Sequence, residues 1–205
     1  GLSMKRPTMT STGHVAEPGM ERKSGAKMSA KAVNHTTKPT VWDGTGGLGR
    51  DSFVLASLGL SVHTFEQHPA VACLLADGLE RALQEPEIQD IARRMTFHYG
   101  NAVELMRELA AQSRPDIVYL DPMHPERQKS AAVKKEMAYF HSVVGAAQEE
   151  AELLAAARAV AKKRVVVKRP RLGEFLNGEK PAYQYTGKST RFDVYLPDYP
   201  VKDGE

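Results

Sequence analysis

Val41-Trp42-Asp43-Gly44-Thr45-Gly46-Gly47-Leu48-Gly49-Arg50-Asp51 reads as the end of a strand, a glycine-dense turn and the start of a helix. Four glycines within six positions are costly in any regular element, so this backbone needs positive φ or a very close approach by another group. A nucleotide-like ligand is the natural candidate for that group. Gly44-x-Gly46-x-x-Gly49 satisfies the dinucleotide fingerprint, while Asp43-x-x-x-Gly47-x-Gly49 satisfies the acidic, glycine-rich first motif of S-adenosylmethionine (SAM) enzymes. The stretch by itself separates neither reading from the other, nor from a plain turn.

On both sides of the turn the chain alternates between strand-like and helix-like segments. A strand over 40–42 leads in, and a helix over 50–58 leads out, with Phe53, Val54, Ser57 and Leu58 predicted as its buried stripe and Gly59 as its stop. The next strand, 62–65, ends in Glu66, 17 residues beyond Gly49, where such folds place the acid that accepts hydrogen bonds from two ribose hydroxyls. Pro69 opens an apolar helix over 69–82, a shorter helical piece follows Pro86, and Met95–Tyr99 forms a third strand. Gly100-Asn101 then turns the chain into a helix over 102–111. Pro115-Asp116 introduces Ile117–Leu120, whose unbroken apolar run marks a buried parallel strand. It ends in Asp121-Pro122-Met123-His124. Helices over 130–144 and 150–161, a strand over 164–168 and a closing hairpin of Tyr183–Thr186 and 191–196 complete the pattern. This alternation predicts an α/β, doubly wound, Rossmann-like fold: a mostly parallel seven-stranded sheet with a C-terminal antiparallel hairpin.

With 205 residues and 41% hydrophobic content, the chain supports one core, predicted as a domain over 39–205 behind a basic segment over 1–38. That front segment carries seven Lys and Arg against Glu17 and Glu21, net +5, leaving the remainder at −2 of the chain's +3. Rich in Ser, Thr, Gly and Met and without sustained periodicity, it reads as poorly ordered: a solubilising tail, or an arm that attracts phosphates. No apolar run approaches the roughly 18 residues that span a bilayer, so a soluble, cytoplasmic protein is expected. The single cysteine, Cys73, lies in an apolar helical run and is expected to be a buried thiol in a reducing compartment. His63, His68, His98 and His141 show no metal-ligand spacing, so no metal is expected.

In a doubly wound sheet, ligands sit beyond the carboxyl ends of the strands. Asp43 to Gly49, Glu66, Gly100-Asn101 and Asp121 to His124 each follow a strand and should therefore converge on one edge. A nicotinamide enzyme has no evident use for Asp121-Pro122-Met123-His124, whereas an amino-group methyltransferase has one. The exocyclic amine of a base is a poor nucleophile because its lone pair is delocalised into the ring. Hydrogen bonds from its N–H to the Asp121 carboxylate and the Pro122 carbonyl favour a pyramidal nitrogen and stabilise the charge that develops. Pro122 stiffens the turn, and His124 is expected to stack on the flipped base.

These residues carry a family resemblance. Asp43…Gly47-Leu48-Gly49-Arg50-Asp51-Ser52-Phe53-Val54-Leu55-Ala56-Ser57, Tyr119-Leu120-Asp121-Pro122-Met123, Gln128-Lys129-Ser130-Ala131, Val133-Lys134-Lys135-Glu136-Met137 and Lys163-Arg164-Val165-Val166-Val167-Lys168-Arg169-Pro170 resemble the bacterial RsmJ (YhiQ) family. The resemblance extends over about 24–196 and implies a SAM-dependent 16S ribosomal RNA guanine-N2 methyltransferase, with the 16S rRNA or the 30S subunit as partner. It implies SAM contacts at Arg50, Asp51, Glu66, Gln67, Gly100, Asn101 and Asp121. The chain departs from the family in having His124 where an aromatic ring is usual and Gly100-Asn101 where serines are usual.

Charge points independently to RNA. Arg127, Lys129, Lys134 and Lys135 follow the Asp121 tetrad, and Lys168, Arg169 and Arg171 follow the fifth strand, so cations gather around an otherwise slightly acidic domain. Competing readings are a nicotinamide oxidoreductase, an amino-methyltransferase acting on DNA or protein, and a non-catalytic RNA-binding module.

Overall fold

Ile117–Leu120 (β4) is buried at all four residues, and the sheet is built around it. The computed structural model of the chain describes residues 38–122 and 136–202, without the side chains of 136–144. Before β4 come β1 (Thr40–Asp43), α1 (Arg50–Ser57), β2 (Ser61–Glu66), α2 (Pro69–Gln84), α3 (Gln89–Ala92), β3 (Met95–Tyr99) and α4 (Ala102–Ala110). After it come α5 (Glu136–Val160), β5 (Arg164–Pro170), β6 (Tyr183–Thr186) and β7 (Thr190–Tyr195). The strand order is β3-β2-β1-β4-β5-β7-β6, parallel from β3 to β5, with β7 antiparallel to both its neighbours. The order reverses between β1 and β4, where Val41 pairs with Ile117. Crevices for ligands open at such a switch point.

Successive side chains on a strand point to opposite faces, and two cores result. Trp42, Phe65, Val118, Leu120, Val165 and Val167 pack under α4 and α5, against Met106, Leu154 and Ala157. Val41, Val62, Ile117, Tyr119, Val166 and Phe192 pack on the other face with Leu55 and Ala56 of α1. This second face also carries the strand ends that matter below.

Three expectations are corrected. In α1 the buried residues are Ser52, Leu55 and Ala56, and Leu58 is 44% exposed; the stripe at i, i+3, i+4 runs through a serine whose hydroxyl has buried partners. The helices predicted over 130–144 and 150–161 are continuous from Glu136 to Val160. A Cβ at position 145 would meet open space, and the polar run Gln148-Glu149 is exposed, so neither needs to end the helix. Cys73 is exposed on α2, whose inner face is carried by Ala72 and Leu75. Among the described residues no helix is long and apolar enough to cross a membrane.

His63 and His98 fill a seam between β2 and β3. Their rings stack at 5.1 Å with Nδ1 of His63 2.8 Å from Nε2 of His98, and the His98 ring also stacks on Phe65 at 4.9 Å. One ring must donate and the other accept, so the pair is not compatible with two cations. Burial lowers both pKa values from the ordinary 6.5, and the charge of His98 lowers that of His63 further. With the folded value below the unfolded one, the unfolded chain takes up protons first, so this stabilisation is complete above pH 6.5 and is lost as pH falls below it. A pH series of thermal melts from 7.5 to about 5 should therefore show a steeper acid loss for the wild type than for a His63→Phe, His98→Phe variant. Parallel curves would refute the assignment.

Candidate active site

Asp43 closes β1 on the α1 face and turns inward, 1% exposed. Its Oδ1 accepts from the Thr45 backbone N–H at 3.0 Å and from the Thr45 hydroxyl at 3.1 Å, an Asx-type turn. Its Oδ2 accepts from the Ser52 hydroxyl at 2.6 Å, and the Thr64 hydroxyl donates to Ser52 Oγ at 2.8 Å. Burial pushes the Asp43 carboxyl up to about 6, against the pull of these donors. Expected to touch a cofactor, Asp43 instead shapes the loop from within: at 1% exposure its carboxylate is closed off behind Thr45 and Ser52.

The glycine loop is tight for two separate reasons. Gly46 donates to the Phe65 carbonyl at 2.8 Å, and a Cβ there would stand 2.7 Å from that same oxygen. Gly49 has φ +77 and caps α1. Gly46→Ala must push the glycine loop away from β2, because the obstacle is the Phe65 backbone. The expected result is a stability loss of about 1–3 kcal/mol together with weakened SAM binding, read by thermal melting and calorimetry. A normal melt with normal binding would refute the close-packing argument.

Glu66 ends β2. Its Oε2 accepts from Gly47 N–H at 2.9 Å and its Oε1 from His68 N–H at 3.0 Å, so each oxygen keeps a further lone pair. Gly100 N–H donates to the Glu66 carbonyl at 2.9 Å. Asn101 caps α4 by accepting from Glu104 N–H at 3.1 Å, and its Nδ2 donates to Gln67 Oε1 at 3.3 Å. The ends of β2 and β3 are thus tied to the glycine loop. Arg50 is exposed in the first turn of α1.

The period of two explains the centre of the site. Tyr119, Asp121, Val166 and Lys168 share parity, and Tyr119 and Val166 lie on the α1 face. Tyr119 donates its hydroxyl to Asp51 Oδ2 at 2.8 Å. Lys168 Nζ lies 3.2 Å from both Asp51 oxygens and 3.7 Å from Asp121 Oδ2. The Asp121 backbone N–H donates to Thr45 Oγ1 at 2.7 Å, fastening the end of β4 to the glycine loop. Burial raises the Asp121 pKa, Lys168 lowers it, and the Asp51 charge raises it again, leaving it above the ordinary value of 3.8. Burial and the charges of Asp51, Asp121 and Asp43 raise the Tyr119 phenol well above 10, so it remains a donor.

Lys168 and Arg169, grouped in sequence as phosphate contacts, point to opposite faces. Lys168 belongs to the carboxylate cluster. Arg169 is 2% exposed and its Nε donates to the Glu174 carbonyl at 2.9 Å, so it is no surface contact for RNA. Pro122 follows Asp121 at the edge, half-buried. Met123, His124, Arg127, Lys129, Lys134 and Lys135 lie outside the described residues. Sequence reasoning missed Thr45, Ser52, Thr64 and Tyr119; the signals were the Asp43-x-Thr45 spacing and the two-residue step from Tyr119 to Asp121.

The edge therefore offers Gly47, Glu66 and Gln67, with Gly100 and Asn101, on one side of Asp51 and Asp121. A half-buried carboxylate with spare acceptor sites suits ribose hydroxyls, and the acidic centre suits a ligand carrying positive charge, so the residues present fit SAM. Among the described residues no group of three or more His, Cys, Asp or Glu is placed to hold a metal.

The SAM_MT family of SAM-dependent methyltransferases matches residues 12–197. A protein of Neisseria gonorrhoeae named ribosomal RNA small subunit methyltransferase J is 72% identical over 85% of this chain and 70% of its own length. The crystal structure of a SAM-dependent methyltransferase from the same organism superposes with TM-score 0.74 at 64% identity, covering 87% of this chain and 74% of that one. An RNA methyltransferase from Salinibacter ruber, solved with S-adenosyl-L-homocysteine, shares the fold at TM-score 0.55 and 15% identity, over 89% of this chain and 97% of its own.

Proposed function

The chain belongs to the ribosomal RNA small subunit methyltransferase J family of SAM-dependent methyltransferases, and from that premise we propose that it methylates the exocyclic N2 of a guanine in 16S ribosomal RNA, free or within the 30S subunit. Residues 39–205 form the catalytic domain, residues 1–38 are a basic segment preceding it in sequence, and the protein works in the cytoplasm.

The observation that carries this reading is the 2.7 Å bond from Asp121 N–H to Thr45 Oγ1. It fastens the end of β4 that carries the acceptor-side carboxylate to the cofactor loop, and near-attack geometry requires the two to be held in fixed relation. Gly47, Gly49, Arg50, Asp51, Glu66, Gln67, Gly100 and Asn101 line the cofactor side, with the Glu66 carboxylate free to accept the ribose hydroxyls. When bound, SAM supplies an electrophilic methyl whose bond to sulfur breaks as a nitrogen lone pair takes the carbon. Asp121 accepts one amine N–H of the guanine and the Pro122 carbonyl accepts the other. Both keep the nitrogen lone pair aimed and stabilise the positive charge that arises on it, and the departing proton has the Asp121 carboxylate as its nearest base. His124 is assigned stacking on the flipped base.

The experiment is transfer of labelled methyl from SAM to unmodified 16S rRNA and to 30S particles, followed by nuclease digestion. Recovery of the label as N2-methylguanosine is the expected result. Label in another nucleoside overturns the guanine-N2 assignment, and no label in either substrate overturns the reading.

A further inference from the structure

Asp51 and Asp121 bring two carboxylates to the same corner of the sheet edge. Such a pair is stable as two anions only when a cation stands with it; otherwise one member takes up a proton. Lys168 is that cation. Its side chain is 32% exposed, those of Asp51 and Asp121 are 27% and 31% exposed, and its Nζ reaches both.

The other groups around the corner hold Asp51 to its place. Tyr119 gives its hydroxyl to Asp51, and Asp51 stands in the first turn of α1, where the helix dipole favours an anion. Lys168 therefore leans on a fixed carboxylate and extends toward the second. Strand register does the same work on the backbone: Leu120 pairs with Val167, so the next residues along, Asp121 and Lys168, emerge side by side.

We infer that Lys168 is a positioning residue of the reaction, its ammonium seated between Asp51 and Asp121 so as to keep the Asp121 carboxylate charged and aimed at the acceptor amine. The inference rests on the reading of Asp121 given above. A phosphate contact does not suit Lys168, because a phosphate reaching its Nζ must approach two carboxylates that already hold it. Among the described residues, the charged and titratable groups facing Asp121 are Lys168 from β5, Asp51 from α1 and Tyr119 from β4. Burial and Asp51 both push Asp121 toward its protonated form, and among the described residues Lys168 pulls the other way. Protonated Asp121 donates where the reaction needs an acceptor.

The test compares wild type, Lys168→Met and Lys168→Arg. In a pH–rate profile at saturating SAM, Lys168→Met should move the acid limb of kcat to higher pH by about one unit and lower kcat near neutrality roughly tenfold or more. KM for RNA should stay within about threefold, and Lys168→Arg should restore much of the profile. A raised KM with a shallower salt dependence and an unmoved acid limb would show a phosphate contact instead and overturn the inference. A second readout needs no RNA. In carbon-13 NMR of the full chain, the Asp121 carboxyl, assigned through Asp121→Asn, should titrate at higher pH in Lys168→Met than in wild type, with melting confirming that both are folded. An unmoved midpoint overturns the inference even where methyl transfer is intact. A moved midpoint in a chain that labels no RNA confirms the charge relation and places the failure in the proposed function.

Discussion

Asp121→Asn lowers methyl-transfer turnover by roughly 10²-fold, about 2.7 kcal/mol of transition-state stabilisation, while SAM affinity stays within a few-fold. The substitution keeps shape and one acceptor oxygen. It keeps the backbone bond to Thr45 Oγ1 as well, so the end of β4 stays fastened to the glycine loop. What it removes is charge: the amide cannot match a carboxylate in stabilising a nitrogen that becomes cationic, nor serve as a base for its proton. Lys168 loses its 3.7 Å partner but keeps Asp51, so the corner remains neutralised. The check is single-turnover transfer at saturating SAM, beside calorimetry of SAM binding. Turnover at the wild-type level would remove Asp121 from the chemistry. Equal losses in turnover and SAM affinity would recast it as a cofactor ligand only.

The acid behaviour of the same group sharpens the expectation. Its folded pKa lies above the ordinary 3.8, so ionised Asp121 is favoured only as pH rises through that raised value. Activity carried by the carboxylate should fall on the acid side earlier than an ordinary aspartate would require. In Asp121→Asn that limb should disappear along with most of the rate.

Sequence reading reached the fold through its punctuation. β3 and β4 were legible to the residue because Gly100, Pro115 and Asp121 bound runs of apolar and β-branched residues. The convergence of the glycine loop, Glu66 and Asp121 followed from topology alone, since every strand from β1 to β4 runs the same way. What escaped was the direction of side chains. Lys168 and Arg169 are neighbours in sequence and opposites in space, and no charge count separates them. Asp43 lies in the cofactor motif but on the inward parity of β1, where only its partners Thr45 and Ser52 show what it does. The helices expected over 130–144 and 150–161 are one, and its packed residues Leu154, Ala156 and Ala157 lie beyond the exposed stretch that separates the two predicted spans.

The sheet's far edge depends on one buried ion pair, and Arg191→Met should cost about 3–5 kcal/mol, lowering the melting temperature by on the order of 10 °C. Arg191 and Asp193 lie on one face of β7, with side chains 8% and 0% exposed. The guanidinium meets the carboxylate through two bonds, Nε to Oδ1 at 2.8 Å and Nη2 to Oδ2 at 3.0 Å, and Gln184 Nε2 adds a third at 2.7 Å. Its remaining N–H groups serve the chain after β5: Nη1 donates to the carbonyls of Arg171 and Gly173 at 3.0 and 2.9 Å. Methionine fills similar volume but removes the cation beside Asp193, leaving its buried carboxylate with Gln184 as its side-chain donor, and takes one donor from each of these carbonyls. That orphaned charge is the larger part of the loss. A double variant, Arg191→Met with Asp193→Leu, should therefore melt well above Arg191→Met alone, even though it removes more polar groups. Because the loop it holds continues directly from Lys168 and Pro170, Arg191→Met should also blur the carboxylate corner, lowering turnover even at temperatures where the protein stays folded. Thermal melts of the three proteins decide the stability claim. A double variant no more stable than the single one would show that shape at this edge matters more than the unpaired charge.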